Sequence, residues 1–181
     1  MGADIYGWVE VRQRRTPYWY GIIQISPLLV GSGYETYDML GCLFGVLNYA
    51  HFKPIAEKRG LPTDAAAIIQ QEAQKWEKTA RDHTWITWSE IEAIDWEEEG
   101  EQEDSREHRY IQDKHGQLVY DSKAIFHGRS ITDTKGTVYK FEKIRRKEAL
   151  TPPWQLLFNL MKLLAQQFGG DNVRMVVWFH G

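Results

Sequence analysis

The sequence lacks most of the features that mark specialised protein classes. It has one cysteine, Cys42, so no internal disulfide framework can form and the expected compartment is the reducing cytoplasm. It has no surplus of positive charge. The 22 basic and 25 acidic residues give a net charge of −3, which argues against nucleic acid as the partner. The longest apolar stretches, near Met39–Val46 and Trp154–Leu164, are too short or too interrupted to span a bilayer. The opening Met1-Gly2-Ala3-Asp4-Ile5 lacks the basic start and apolar run of a secretory signal, and Tyr6 stands where a myristoylation motif needs Ser or Thr. The expectation is a cytoplasmic protein with no membrane partner.

Catalytic and metal signatures are missing too. The six histidines include no H-x-x-x-H pair, and with a single cysteine no zinc spacing exists, so neither a metal nor a cofactor is expected. One spatial alternative remains, Asp4, His83 and His180, if the two termini are neighbours. There is no G-x-S-x-G elbow, and Cys42 lies inside an apolar helical pattern, where a thiol is usually inert. Gly31-x-Gly33 follows an apolar run and precedes a helix, but Thr36 stands where a dinucleotide fingerprint needs its third glycine. A tight turn explains it, although the helix start at Thr36 could seat a phosphate.

What the chain does have is aromatic surface. Eight Trp, nine Tyr and seven Phe exceed what core filling alone suggests and leave room for stacking on a planar ligand. The length of 181 residues fits one domain with a substantial core. Residues 4–12 alternate Ile5, Gly7, Val9 and Val11 with Tyr6, Trp8, Glu10 and Arg12, a strand with two different faces. A second strand is expected over 18–25. Tyr37, Leu40, Phe44 and Leu47 fall at helical spacing behind a Thr36 cap, with Asp38 in the first turn. Residues 48–62, with Pro54, Gly60 and Pro62, read as a long loop.

A second helix is expected from a Thr63 or Asp64 cap to Ala80, with Ala65, Ile68, Ile69, Ala73, Trp76 and Ala80 on one stripe. Residues 84–87 read as a short β piece. Thr87-Trp88-Ser89-Glu90 is a capping box that starts a helix toward Trp96. Of the eight residues 97–104, six are acidic, and residues 97–108 read as a solvated, mobile acidic linker. Residues 109–147 read as a β-hairpin elaboration with D-x-x-G turns at Asp113–Gly116 and Asp133–Gly136. Its Lys143, Arg145, Arg146 and Lys147 form a basic cluster that could meet the acidic stretch or a protein partner. Thr151-Pro152 opens a broad apolar helix closed by Gly169-Gly170, and residues 173–179 form a last strand expected to pair with the first. The fold class is α+β: one domain, a mixed or antiparallel sheet with adjacent terminal strands, three to four helices and the hairpin region.

Several of these pieces together carry a likeness. Met1-Gly2-Ala3-Asp4-Ile5-Tyr6, Tyr37-Asp38-Met39-Leu40 running to Gly45-Val46-Leu47-Asn48, the loop from Pro54 to Pro62, and His83-Thr84-Trp85-Ile86-Thr87 followed by Glu90 resemble a group of uncharacterised phage and bacterial proteins. The match covers mainly the first 96 residues and the aromatic closing strand. The group commonly has His in place of Tyr6 and Arg-Asn in place of Leu47-Asn48, so a metal-ligand or base role for that His has no equivalent here. The resemblance implies a phage or prophage setting, where small proteins often interfere with host defence.

The candidate ligand site comprises Tyr6, Trp8, Tyr37, Asp38, Arg59, His83, Trp85 and Trp88. Rings stack on bases, a guanidinium pairs with phosphate, and an imidazole donates a hydrogen bond. The leading expectation is a small-molecule binding protein, with or without homo-oligomerisation, that sequesters a nucleotide-derived immune signal such as a cyclic nucleotide or an ADP-ribose derivative. The alternatives are a nucleotide hydrolase using His83 with Asp82 or Asp4, and an inhibitor that binds a host protein.

Overall fold

In a computed structural model, residues 2–29, 36–76, 78–124 and 136–181 are described. Strand β1 spans Asp4–Arg12, β2 Trp19–Gln24, β3 Arg81–Thr87 and β7 Val173–His180. They form one antiparallel sheet in the order β2-β1-β7-β3, which places the terminal strands side by side at its centre. Strands β4 (Glu107–Gln112), β5 (Leu118–Ala124) and β6 (Val138–Lys140) form a second sheet in the order β5-β4-β6. Helices α1 (Ser26–Leu29), α2 (Thr36–Phe44), α3 (Ala67–Lys75), α4 (Trp88–Glu92) and α5 (Pro152–Phe168) complete the described elements. The fold is α+β, with adjacent terminal strands as expected from the apolar last strand.

Each central strand sends alternate residues to opposite faces. Ile5, Val9 and Val11 of β1 join Val173, Met175, Val177 and Phe179 of β7 in one core, closed by α2, α4 and α5. Trp154, Leu157 and Met161 of α5 are fully buried there, the reward of a helix whose apolar stripe covers the sheet. The opposite face carries Tyr6, Trp8, Val176, Trp178 and Trp85 beneath Ile69 and Ala73 of α3.

Two expected boundaries move. Helix α3 starts at Ala67 rather than after a Thr63 or Asp64 cap, because Asp64 is taken by Trp19 Nε1 (2.9 Å) and Arg174 Nη2 (2.8 Å). The orphan amide of Ala66 is instead satisfied by Glu10 Oε2 of β1 at 2.8 Å, a cap supplied from a distant strand. The helix stops at Lys75, so Trp76 is its C-cap and Ala80 lies outside it. The Thr87 capping box forms with both reciprocal bonds, but α4 ends at Glu92 rather than near Trp96.

The acidic stretch, expected as a solvated linker, is tied down. Glu97 meets Arg145 and Lys147, Glu98 meets the buried Arg146 at 2.8 Å, and Glu99 bridges Arg145. Asp104 is buried, with Arg106 Nη2 at 2.6 Å, and Arg106 also bonds Asp38. The basic cluster of 143–147 is thus the partner of these acids, and both belong to the fold. Of the two D-x-x-G turns, Asp113–Gly116 closes β4 onto β5 with Gly116 at φ 77°. Asp133, Thr134 and Lys135 of the other turn, like Gly31-x-Gly33, lie outside the described residues.

Candidate functional site

The sheet divides the eight residues expected to form one pocket. Tyr6, Trp8 and Trp85 stand on the α3 face, while Tyr37 and Trp88 belong to the core on the other side. Asp38 is buried near that second core, bonded to Arg106 and to Lys123 Nζ at 2.8 Å. It forms part of an ion cluster with Asp104 and is closed to a ligand. The split follows from which side of the sheet each element packs on: Tyr6, Trp8 and Trp85 are strand residues that share the α3 face, while Tyr37, Asp38 and Trp88 are carried by α2 and α4, which pack on the other side.

Arg59 is also engaged. Its guanidinium forks onto Glu90 at 2.7 and 3.0 Å, donates to the carbonyls of Ile55 and Trp85, and lies 5.0 Å over the Trp85 ring. With the amide of Gly60 donating to the His83 carbonyl at 2.8 Å, it fastens the long loop along the outer side of β3. Burial raises the Glu90 carboxyl, but the bonds from Arg59 and Thr87 outweigh it, and the net shift is downward. The side chain therefore stays charged and holds the fork closed.

His83 sits on an irregularity of β3. Arg81 pairs with Phe179 and Thr84 with Val177, so Asp82 and His83 together oppose Trp178. Asp82 takes a left-handed backbone, φ 52°, which is uncommon for a non-glycine residue. The bulge lays the imidazole against the Trp178 ring at 6.0 Å. Burial lowers the His83 pKa against the upward pull of Asp82, so the ring is neutral at neutral pH. Asp4 pairs with His180 across β1 and β7. Among the described residues no three His, Cys, Asp or Glu side chains come together in a group able to hold a metal, so the Asp4–His83–His180 alternative has no geometry here.

The α3 face does contain a cleft. A cavity of about 310 Å³ opens between β1, the end of β2 and the last turn of α3. Tyr6 and Trp76 form an aromatic wall, their centroids 4.3 Å apart, and His180 meets Trp76 edge-on at 5.7 Å. The rim is polar. Glu72 accepts from Trp8 Nε1 at 2.7 Å, which leaves its second oxygen uncommitted, and Lys75 makes no ion pair among the described residues. Two further lining residues carry a signal of another kind. Ser26 Oγ and Trp178 Nε1 are shut off from solvent and have no hydrogen-bond partner among the described residues. Buried polar atoms are nearly always paired, and two residues that line this cavity each carry one that is not.

Of the expected site residues, Tyr6 lines this cleft, Trp8 positions Glu72 beside it, and His83 backs Trp178. Trp76, Trp178, Ser26, Glu72 and Lys75 were not among the expected residues. Trp76 reads as one more stripe residue of a longer helix, and Trp178 as one apolar residue in an apolar strand. Only the early stop of α3 and the β1–β7 pairing give them a shared wall. A wider groove of about 740 Å³ runs between β2 and the start of α3, lined by Tyr18, Tyr20 and Ile68, all exposed. No helix among the described residues is long and apolar enough to cross a membrane. The chain matches no protein-family profile, no curated protein and no solved structure.

Proposed function

We propose that the protein is a small-molecule binding protein that holds one planar ligand in the cleft between Tyr6, Trp76 and Trp178. The observation that carries this reading is the coincidence, in one cavity, of an aromatic wall with the partnerless Trp178 Nε1 and Ser26 Oγ. An apolar, ring-lined concavity with a few convergent polar groups is what a ligand site requires. A narrower version, drawn from the likeness to phage and bacterial proteins, is sequestration of a nucleotide-derived defence signal without turnover.

The test is to purify the protein from its native context, denature it and identify released small molecules by mass spectrometry. An intact ligand recovered in stoichiometric amount, and lost with Tyr6→Ala and Trp76→Ala, is the expected result. Recovery of a cleaved product would favour the second reading, a nucleotide hydrolase. That reading has one specific observation behind it: the neutral His83 imidazole beside Asp82 on a backbone bulge. If it holds, His83→Ala abolishes cleavage while ligand affinity stays. Recovery of no ligand, together with co-purification of a host protein, would move the assignment to an interaction module.

A further inference from the structure

Resting on the cleft reading above, we infer that the ligand is of mononucleotide size, with its base against the aromatic wall, its sugar hydroxyls at Glu72 and one phosphate at Lys75. Size is the first argument. At about 310 Å³ the cavity lies at the small end of the roughly 300–1,000 Å³ that ligand sites span. One ring system with one sugar-sized appendage fills it. A cyclic dinucleotide or an ADP-ribose derivative carries a second sugar and a second phosphate that would project beyond the cavity and gain no contact inside it.

The chemistry of the walls is the second argument. Trp178 is about 1% exposed, and its indole N–H can only donate. The Ser26 hydroxyl, on another residue of the same cavity lining, can donate or accept. A heteroaromatic ligand with a ring acceptor and an amine or carbonyl can pair with either group; a plain hydrocarbon ring pairs with neither. Both atoms are closed to water, so a ligand reaches them only with a local shift of the side chains around them. Tyr6 and Trp76, their rings packed on each other at 4.3 Å, form one aromatic surface for stacking, which tolerates any base.

Glu72, also in the lining, is held by the Trp8 indole at 2.7 Å through one oxygen. Its other oxygen is an acceptor for hydroxyl donors. An amino group would serve as well, but a sugar diol is the hydroxyl donor a nucleoside presents. Lys75 follows one helical turn later on the same side of α3. With no ion pair of its own among the described residues, it is the cation left over for a phosphate. The fixed carboxylate and the unpaired ammonium together suit a ligand that is a hydroxyl donor at one point and an anion at the next.

Three probes decide this: adenosine, adenosine 5′-monophosphate and cyclic di-adenosine monophosphate, titrated by calorimetry and by tryptophan fluorescence. The expected result is tightest binding of the 5′-monophosphate, which keeps both sugar hydroxyls, and weaker binding of the nucleoside and of the dinucleotide. Lys75→Gln should weaken the 5′-monophosphate about ten-fold or more and leave adenosine within about two-fold. Ser26→Ala should weaken both about five-fold. Equal affinity for nucleoside and nucleotide, unchanged by Lys75→Gln, would overturn the phosphate placement, while loss of both with Tyr6→Ala would leave the cleft reading standing. Dinucleotide binding as tight as the mononucleotide would overturn the size argument. Absence of binding by all three probes would overturn the ligand class, and the mass-spectrometric test then bears on the cleft alone. Trp178→Phe is informative only where thermal unfolding matches the parent, so Ser26→Ala is the primary variant for the buried polar groups.

Discussion

The two faces of the four-stranded sheet are built by the same strands and end up with opposite characters. Toward α2 and α5, β1 and β7 contribute only aliphatic residues and phenylalanine, and a 17-residue helix covers them without a gap. Toward α3 they contribute Tyr6, Trp8, Glu10, Arg174 and Trp178, under a helix of 9 residues. A long amphipathic helix saturates the apolar area beneath it. A short one cannot, so the second face satisfies its polar groups through specific pairs, and where it fails to do so a cleft remains. The closed face accounts for folding, and the open face is where a ligand can gain.

The pairs on the open face are tightly specified. Arg174 Nε bonds Glu10 Oε1 at 2.5 Å, its guanidinium lies 3.8 Å over Trp19, and Asp64 takes Nη2. Burial pushes the Glu10 carboxyl up, against the downward pull of the Ala66 amide and Arg174. One arginine thus links β7, β1, β2 and the approach to α3, and the apolar area that α3 covers is only part of what fixes that helix in place.

The largest expected effect tests the closed face. Trp154→Ala should cost about 3–5 kcal/mol in denaturant unfolding, against about 1 kcal/mol for Trp76→Ala on the open face. Equal costs would erase the distinction between the faces. Arg174→Met should cost about 3 kcal/mol, because it strands the buried Glu10 carboxylate, and the double variant with Glu10→Gln should recover part of the loss. A purely additive double variant would show that the seam is not coupled.

Acid unfolding should belong to neither face. For Asp104, burial raises the pKa, but hydrogen bonds from His108 and Arg106 outweigh it and hold the carboxyl well below the usual carboxylate range. A folded-state pKa below the unfolded one gives stability that is present above the unfolded value and lost as pH falls. Stability measured by denaturant at successive pH values should therefore decline from about pH 5 downward, and Asp104→Asn should flatten that slope. An unchanged slope in the variant would place the acid sensitivity elsewhere. The smallest effect is Ser26→Ala. Its hydroxyl has no partner to lose, so unfolding should shift by less than about 0.5 kcal/mol. A larger loss would show that the hydroxyl is paired in solution.

Period-two alternation in β1, the Thr87–Glu90 box and the Thr151-Pro152 start of α5 are local signals, and each forms where its residues stand. The pairing of the terminal strands follows from similar reasoning, since a predominantly apolar last strand needs the inside of a sheet. What local pattern could not carry is which face a residue serves and who its distant partner is. Arg59 finds Glu90, Asp38 finds Arg106, and the α3 amide finds Glu10. Those choices span tens of residues, and in each a charged or orphaned group is neutralised by whichever opposite group the folded chain brings within reach. The amino-acid sequence by itself determined the elements, their amphipathic faces and the aromatic surplus. Only the tertiary structure decided that Tyr6, Trp76 and Trp178 share a cleft while Tyr37 and Trp88 pack on the other side of the sheet, because which face a helix covers depends on strand partners far away in the sequence.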